Sequence, residues 1–542
     1  SNIWTCTPDG RDARAPHGNY PYPLHTMTGS SFYNGKLDRP NGEWNIRAIP
    51  NSSRYIATAS THHGQSYGDL VVIDPSIPDD NKSAQIVKRI TRTLATWDDW
   101  ELEGGGGVYG TPWPLSGEYF LANKRNSIIL IDINGVETTV FTATDGRPLD
   151  PIPLRARTAP NALTTGTWQG ERAGATDHKR ATISIMNVYN GDMPLPAGKV
   201  IKSMRIMQLI PKATYFINDP QTGYASEGLC RVSLGTVPVD PDGSVYCEAP
   251  VGKAIYFQLL DEKGMAVQSM RSNTYAHAGE QMTCYGCHED KWKATPPANP
   301  TATKRAPSPL QPEPGAESNG LTPINFARLV KPVFTSKCQP CHTQQGKGPT
   351  NMTSYSSLYP YAFWFCTRGS GETFLIYDIV EPKVGGSRTL PGSFGAAYSR
   401  MGKALLNSTH QSAGITNDEF RRVTLWLDGN SMELSAYTKV TEQKAGQLVW
   451  PELDYNSSNP TGVEKDRPLP DGATAFYRAS SSTSRPAGSV VVRGRMIYLA
   501  RPALGAVQVR VYDAGGRCIM TEQLARSQTA VQLPAARGLY LV

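Results

Sequence analysis

Two five-residue segments hold the residues whose types and spacing favour a specific chemistry. They are Cys284-Tyr-Gly-Cys287-His288 and Cys338-Gln-Pro-Cys341-His342. Each has two cysteines three residues apart and a histidine directly after the second, which is the attachment pattern of c-type haem. Two thiols on one turn can form thioethers with the two haem vinyl groups, and the adjacent histidine can ligate the iron. The sequence therefore predicts two covalently bound haem c groups.

A zinc centre is the main alternative, because two CxxC pairs can also supply four thiolates. The usual gap between such pairs is about 15 to 20 residues, whereas 50 residues separate Cys287 from Cys338. Only nine histidines occur in the chain, so a histidine after both pairs would be a rare coincidence. The pattern favours two haems over one haem, a zinc site or disulfides.

The second axial ligands are less strongly indicated. His410 is the only histidine after His342, and we predict it as the distal ligand of that haem, with Met401 as the competitor. A haem with two histidine ligands has both axial positions filled, which is typical of electron transfer. The alternative is a surface histidine before a helix cap.

For the haem at His288 the sequence offers His277, His62, His63 and several tyrosines without a clear preference. Arg271 precedes this motif and is predicted to pair with a haem propionate through a bidentate contact. The predicted iron ligands are thus His288, His342 and His410, and no catalytic residue is assigned.

Cys230 and Cys247 flank a predicted strand-turn-strand segment. A disulfide between them would be compatible with an oxidising compartment. The alternative is two buried free thiols.

The remaining sequence predicts a multidomain, mainly β protein. Glycine and proline together contribute 92 of the 542 residues, which suits short strands and tight turns, and this length predicts three to four domains at about 150 residues each. Similar strand pairs at residues 54–75 and 118–137 predict blades of a partial β-propeller, with an irregular sandwich as the alternative. A capping box at Thr416 and Glu419 predicts a helix that Gly429 ends.

The domain boundaries follow from these patterns and from changes in composition. They are 1–149 for the partial β-propeller, 150–277 for a β-sandwich-like middle domain, 278–292 for the first haem-binding segment, 293–319 for a Pro-rich linker, 320–442 for a small α-helical cytochrome c module, 443–487 for a second linker and 488–542 for a C-terminal β-sandwich.

Charge and hydropathy narrow the class of partner. The net charge of +7 is spread along the chain without a basic block, so nucleic acid is not an expected partner. The most apolar run, at residues 128–131, is far shorter than the roughly 18 residues of a spanning helix, which predicts no integral membrane segment. The start of the sequence lacks a secretory signal, and we expect it to follow processing or to lie inside a longer precursor that completes the propeller.

Several segments resemble proteins related to the hydrazine synthase alpha subunit. The resemblance covers residues 40–440 and is carried by the segments at residues 111–116, 150–155, 235–246, 266–272, 280–289 and 425–430. It implies a β-propeller, a β-rich middle domain and a haem-bearing C-terminal region. It also implies a catalytic haem with a tyrosine ligand shortly after the first motif, with the motif histidine bound to zinc, and a second haem with two histidine ligands.

This sequence departs from that pattern after the first motif. Four residues past His288 stands Trp292, which cannot ligate iron. We therefore expect His288 to keep the ordinary proximal role, and we do not expect hydrazine synthesis.

The end of the chain resembles a different family. Residues 488–542, in particular 507–517 and 538–542, are similar to the C-terminal sorting domain of type IX secretion substrates. This resemblance implies export to the cell surface or beyond, with the periplasm as the fallback location. An ordinary terminal β-sandwich is the alternative.

Three classes of function remain open from the sequence, the third of them a binding protein that has lost turnover. The first is an extracytoplasmic dihaem cytochrome acting as an oxidoreductase, with a reaction centre at His288 and electron transfer through His342 and His410. The second is a non-enzymatic electron carrier or a cell-surface or filament assembly protein. Expected partners are redox proteins or other cytochromes and further copies of the chain.

Overall fold

A computed structural model describes most of the chain up to residue 450 and the strands of its C-terminal region. The described residues are 3–8, 10–11, 13–17, 40, 42–60, 67–77, 85–94, 107–156, 180–191, 194–212, 214, 216, 218–224, 228–270, 273–277, 279–287, 299–346, 348–363, 391–450, 490–493, 496–499, 507–512, 518–524 and 530–532. They form two compact units, residues 1–475 and 476–542.

Two four-stranded antiparallel meanders follow a short hairpin of β1 (Ile3–Thr5) and β2 (Arg14–His17). Their buried aliphatic and aromatic side chains fill one shared core, which includes Ile56, Leu70 and Phe120. The strands of the first meander are β3 (Gly42–Ala48), β4 (Tyr55–Ser60), β5 (Asp69–Ile73) and β6 (Ile86–Arg89). Those of the second are β7 (Tyr109–Pro114), β8 (Tyr119–Lys124), β9 (Ser127–Asp132) and β10 (Glu137–Thr142). Such four-stranded meanders are the blades of β-propellers. The arrangement of these two meanders as part of a propeller stays a prediction.

Two sheets in the middle of the chain share a second core. One has the order β14-β11-β17 and the other β16-β15-β12-β13-β18, and buried Ile, Val and Leu side chains of both lie in this core. The strands are β11 (Arg180–Ile185), β12 (Ser203–Leu209), β13 (Arg231–Pro238), β14 (Val245–Pro250), β15 (Ile255–Leu260), β16 (Ala266–Ser269), β17 (Gln281–Cys284) and β18 (Thr322–Pro323). With these sheets the prediction of a mainly β chain is confirmed.

The predicted Pro-rich linker is tied to both middle sheets where the structure describes it, at residues 299–319. Ser308 exchanges backbone hydrogen bonds with β14, and Gln311 does so with Thr236 of β13. Proline removes a donor but leaves the carbonyls, and the residues between prolines keep their N–H groups for pairing with strand edges. This segment is extended, as its composition predicts, but it is packed on the sheets and is not a free linker.

A buried ion cluster joins this segment to the sheets and to a later helix. Arg205 on β12 donates to both carboxylate oxygens of Glu313, at 2.9 and 3.0 Å, and to Asp428 at 3.1 Å. Asp428 also accepts from the backbone N–H groups of Ala266 and Ala396. Arg205 is 1% exposed, and both carboxylates are buried. The cluster therefore fixes the end of the helix against the sheet.

The helical region contains mostly short elements. Its elements are a 3₁₀ turn (Thr301–Lys304), α1 (Phe326–Leu329), α2 (Lys331–Val333), a π-helical turn (Phe334–Cys338), α3 (Gln339–Gln345), α4 (Tyr355–Leu358), a 3₁₀ turn (Tyr359–Tyr361), α5 (Gly395–Tyr398), α6 (Arg400–Leu406), α7 (Ser408–Gln411), α8 (Asn417–Asp428) and α9 (Val440–Lys444). The capping box of Thr416 and Glu419 and the end at Gly429 are both present, as predicted. Trp426 and Val423 lie in the core of this region.

The second unit contains five described strands. They are β19 (Val490–Arg493), β20 (Met496–Leu499), β21 (Val507–Tyr512), β22 (Cys518–Leu524) and β23 (Ala530–Gln532). The sheet orders are β19-β20-β23 and β21-β22. Within the described residues of both units, no helix has the length and apolar character needed to cross a membrane.

Candidate functional site

The second motif lies where a π-helical turn passes into α3. Cys338 ends the turn, and Cys341 lies on the helix, with Pro340 near its start. Cys338 packs partly against the helical core, while Cys341 is exposed. Burial raises the pKa of the Cys338 thiol to about 11, and the nearby Glu419 carboxylate adds to the rise. One thiol therefore lies against the core and the other faces outward on the same turn.

His342 is oriented by a backbone carbonyl. Its Nδ1 lies 3.2 Å from the carbonyl oxygen of Pro349, so Nδ1–H donates there and Nε2 is left as the available ligand atom. The chain reaches Pro349 through Gly346 and Gly348, which have φ values of 60° and 68°. A Cβ at Gly348 would lie 3.4 Å from the His342 ring, so this turn passes close over the imidazole.

The structure brings His410 next to His342. The two ring centres are 6.4 Å apart and the ring planes differ by 25°. An imidazole nitrogen binds a metal at about 2.0–2.1 Å, and its ring centre lies roughly 1 Å further away, so two imidazoles on opposite sides of one ion have centres about 6 Å apart. The observed separation of the ring centres would leave room for an iron ion held by the two imidazoles.

Two further observations concern the candidate ligands on the distal side. Nδ1 of His410 is buried and has no hydrogen-bond partner among the described residues. The competitor Met401 is 6% exposed and packs in the helical core. Among the described residues His410 therefore lies beside His342, while Met401 packs in the helical core.

The first motif is held by the loop that follows β11. Cys284 ends β17, which pairs in parallel with β11. The Cys284 carbonyl accepts from the Met186 N–H at 2.9 Å, and the Cys287 N–H donates to the Asn190 carbonyl at 2.7 Å. His288 itself lies outside the described residues. The structure therefore places the two cysteines of this motif but not its iron ligand.

Gly286 is required by a close backbone approach at this turn. A Cβ at this position would overlap the carbonyl oxygen of Asn190. We expect Gly286→Ala to displace the turn and to cost about 1–3 kcal/mol of unfolding free energy, with partial loss of any haem that the first motif carries. Urea denaturation and intact mass measure both effects. Gly117→Ala is the matched control, since no atom lies within 4 Å of its added Cβ, and equal effects in the two variants would contradict the assignment.

His277 is the described member of the histidines that the sequence offered for the first haem. Its Nδ1 lies 3.1 Å from the carboxylate of Glu280, whose oxygen also accepts from the His277 N–H. The Nε2 edge of the ring faces Gly10 closely. This histidine is packed between two chain segments. His62, His63, Arg271 and Trp292 lie outside the described residues.

The cysteines do not gather into a zinc centre in the described part of the chain, which includes all four motif cysteines. No three His, Cys, Asp or Glu side chains come together there as metal ligands.

Cys230 and Cys247 are buried free thiols and form no disulfide. Burial raises the pKa of both thiols, that of Cys247 to about 12.

A comparison with protein families finds a match that covers the first motif. Residues 199–289 match the family model described as the hydrazine synthase alpha subunit middle domain. In this part the chain is similar to the hydrazine synthase alpha subunit. The matched residues include Cys284, Cys287 and His288 and end before the second motif. The resemblance inferred from the sequence is thus supported for the middle of the chain.

A solved structure extends this hydrazine synthase likeness over more of the fold. The structure of Kuenenia stuttgartiensis Hydrazine Synthase matches with a TM-score of 0.56 and 15% sequence identity, over 85% of this chain and 67% of that one. At this identity the likeness shows the fold alone. The comparison with curated proteins found no match.

Sequence reasoning missed two elements of the candidate site. The first is the Pro349 carbonyl that orients His342; the closely spaced glycines at positions 346 and 348 before that proline were its available signal. The second is the loop around Asn190 that holds the first motif. No local signal indicated it, because the contact joins segments far apart in sequence.

Proposed function

We propose that the chain is an extracytoplasmic dihaem c-type cytochrome whose second motif forms an electron-transfer centre. The observation that carries this proposal is the 6.4 Å separation of the His342 and His410 ring centres. Cys338 and Cys341 would hold the haem covalently, and the two histidines would fill both axial positions. Such a haem supplies one-electron transfer without an open position for substrate.

The protein's own residues set the conditions for this role. The Pro349 carbonyl accepts from Nδ1–H of His342 and fixes the orientation of the imidazole, and an acceptor of this kind on the ring nitrogen opposite the metal raises ligand basicity. The core around Cys338 excludes water from one side of the motif. Both features favour a site that changes little in geometry when its charge changes.

For the first motif we propose covalent haem at Cys284 and Cys287 with His288 as the proximal ligand. Arg271 is the proposed partner of a propionate. Because Trp292 stands where the hydrazine synthase resemblance implies tyrosine, hydrazine synthesis is not part of the proposal. We also propose that the N-terminal meanders form a partial β-propeller, as the resemblance implies.

Carbon monoxide binding separates an oxidoreductase from an electron carrier. An oxidoreductase needs one iron with an open or exchangeable position, whereas a carrier or assembly protein would have two six-coordinate irons. We expect intact mass to show two covalent haems and carbon monoxide to shift the absorption of one reduced haem. Two haems without a shift would favour the carrier, and a protein without haem mass would refute the proposal.

We further propose that residues 488–542 direct the protein to the cell surface or the exterior. Deleting this segment is expected to leave two haems per chain and to abolish surface display. Surface labelling, periplasmic fractionation and intact mass measure the outcome in the host. Both chains carry an epitope tag at residue 486, and the tagged full-length protein is the control. Normal display of the truncated chain would contradict the sorting role.

A further inference from the structure

A cavity of about 750 Å³ lies beside His410, between the β15–β16 turn and the helices α6 to α8. Ligand pockets usually have volumes of about 300–1,000 Å³. Its apolar wall consists of Leu405, Leu406, Ile415 and Phe420. Three cationic side chains also line it, namely Lys202, Lys263 and Arg421. The cavity thus combines an apolar wall with positive charge.

Part of the acidic charge in this cavity is already neutralised by the protein. The Asp261 carboxylate accepts from Lys199 Nζ at 2.7 Å and from the backbone N–H of Lys263 at 3.0 Å. Glu262 and Asp418 are the other acidic residues of the lining. Within the described residues the Lys202 and Lys263 side chains form no ion pair. These two lysines can therefore receive the carboxylates of a ligand.

Arg421 is only loosely paired by the protein. Its guanidinium lies 3.7 Å from Glu313, a carboxylate that Arg205 already binds through both oxygens. The same guanidinium packs over Gly264, at the tip of the β15–β16 turn. Lys263 is the residue before Gly264, so the two cations belong to one edge of the cavity.

The geometry of α8 relates this cavity to the second motif. Glu419 faces the motif. Lys337 Nζ lies 3.8 Å from its carboxylate, and the charge of this carboxylate contributes to the raised pKa of the Cys338 thiol. At 3.6 residues per turn, Arg421 projects about 200° around the helix from Glu419. Cys338 and the cavity therefore lie on opposite sides of the first turn of α8. In haem, the vinyl groups that bind cysteine lie at one edge and the two propionates at the opposite edge.

We infer that the propionate carboxylates of the haem carried by the second motif face this cavity and are bound by Lys263 and Arg421. This inference rests on the proposed function, because it requires haem at Cys338 and Cys341. Arg421 can bind a carboxylate bidentately, and Lys263 can act as a point charge. Cations at the propionates stabilise the reduced centre, which carries one positive charge fewer. The pair therefore raises the reduction potential.

The experiment compares Lys263→Gln and Lys263→Glu with the unaltered protein. Lys263 is exposed on a turn, so both variants are expected to fold. Spectroelectrochemical titration should show one of two one-electron waves moving to lower potential. For Lys263→Gln we expect about a tenfold fall in the ratio of reduced to oxidised haem at fixed potential, which corresponds to about 59 mV, and the charge reversal should move the wave further. Arg421→Gln should move the same wave, and Arg421→Lys should recover part of the shift.

The control is Lys444→Gln, which removes a lysine that pairs with Glu433 on the surface. An equal shift in this control would show a general charge effect and would overturn the propionate assignment. Unchanged waves in both Lys263 variants, with two covalent haems and a low-spin spectrum retained, would overturn it as well. Absence of haem from the unaltered protein would instead refute the proposed function itself.

Discussion

His410→Ala is expected to convert one haem per chain from low spin to high spin. Removing the imidazole leaves the iron beside His342 with one protein ligand, because the other candidate, Met401, is packed in the helical core. The low-spin ferric signal of the haem at the second motif should disappear. Electron paramagnetic resonance and the visible absorption spectrum measure the change.

Two further variants make the His410 assignment sharper. Adding free imidazole to His410→Ala should restore the low-spin spectrum, since the deleted side chain leaves space at the ligand position. Met401→Leu conserves volume and should keep the spectrum of the unaltered protein. A low-spin spectrum that persists in His410→Ala, or is lost in Met401→Leu, would show that the pairing of His342 with His410 is not the iron site.

Arg205→Met is expected to lower the free energy of unfolding by about 3–5 kcal/mol, the usual cost of removing one partner from a buried ion pair. Glu313 and Asp428 would then be buried with one cation fewer, and each is less than 5% exposed. Burial raises the pKa of Asp428, and the Arg205 charge opposes that rise. Urea denaturation followed by tryptophan fluorescence measures the loss.

The matched control for Arg205→Met is Arg54→Met. Arg54 also donates to a carboxylate at 2.9 Å, that of Asp74, but its side chain is 51% exposed. Exposed pairs contribute about 0–1 kcal/mol, so this variant should lose little stability. Combining Arg205→Met with Glu313→Gln and Asp428→Asn should recover part of the loss, because no carboxylate charge then remains without its cation. Equal losses for Arg205→Met and Arg54→Met would contradict the structural role of the cluster.

Local sequence patterns determined the parts of the site that are close together in the chain. The CxxCH spacing predicts haem attachment from five residues, and the capping box predicts the start of α8 from four. Alternating apolar residues with many glycines and prolines predict short strands, and the mainly β fold agrees. These features depend on dihedral preferences and spacing within one or two turns, which the sequence contains directly.

Only the tertiary structure decided which distant segments meet. The sequence offered His410 and Met401 as rivals, and the chain path between helices placed His410 beside His342 and Met401 in the core. Arg205 carries no local signal of its partners, which lie 108 and 223 residues away. The predicted linker became a packed segment for the same reason, since it pairs with the edge of β14 and with the part of β13 that β18 leaves unpaired. Such contacts depend on the sum of many weak packing terms over the whole fold, and short segments do not contain that information.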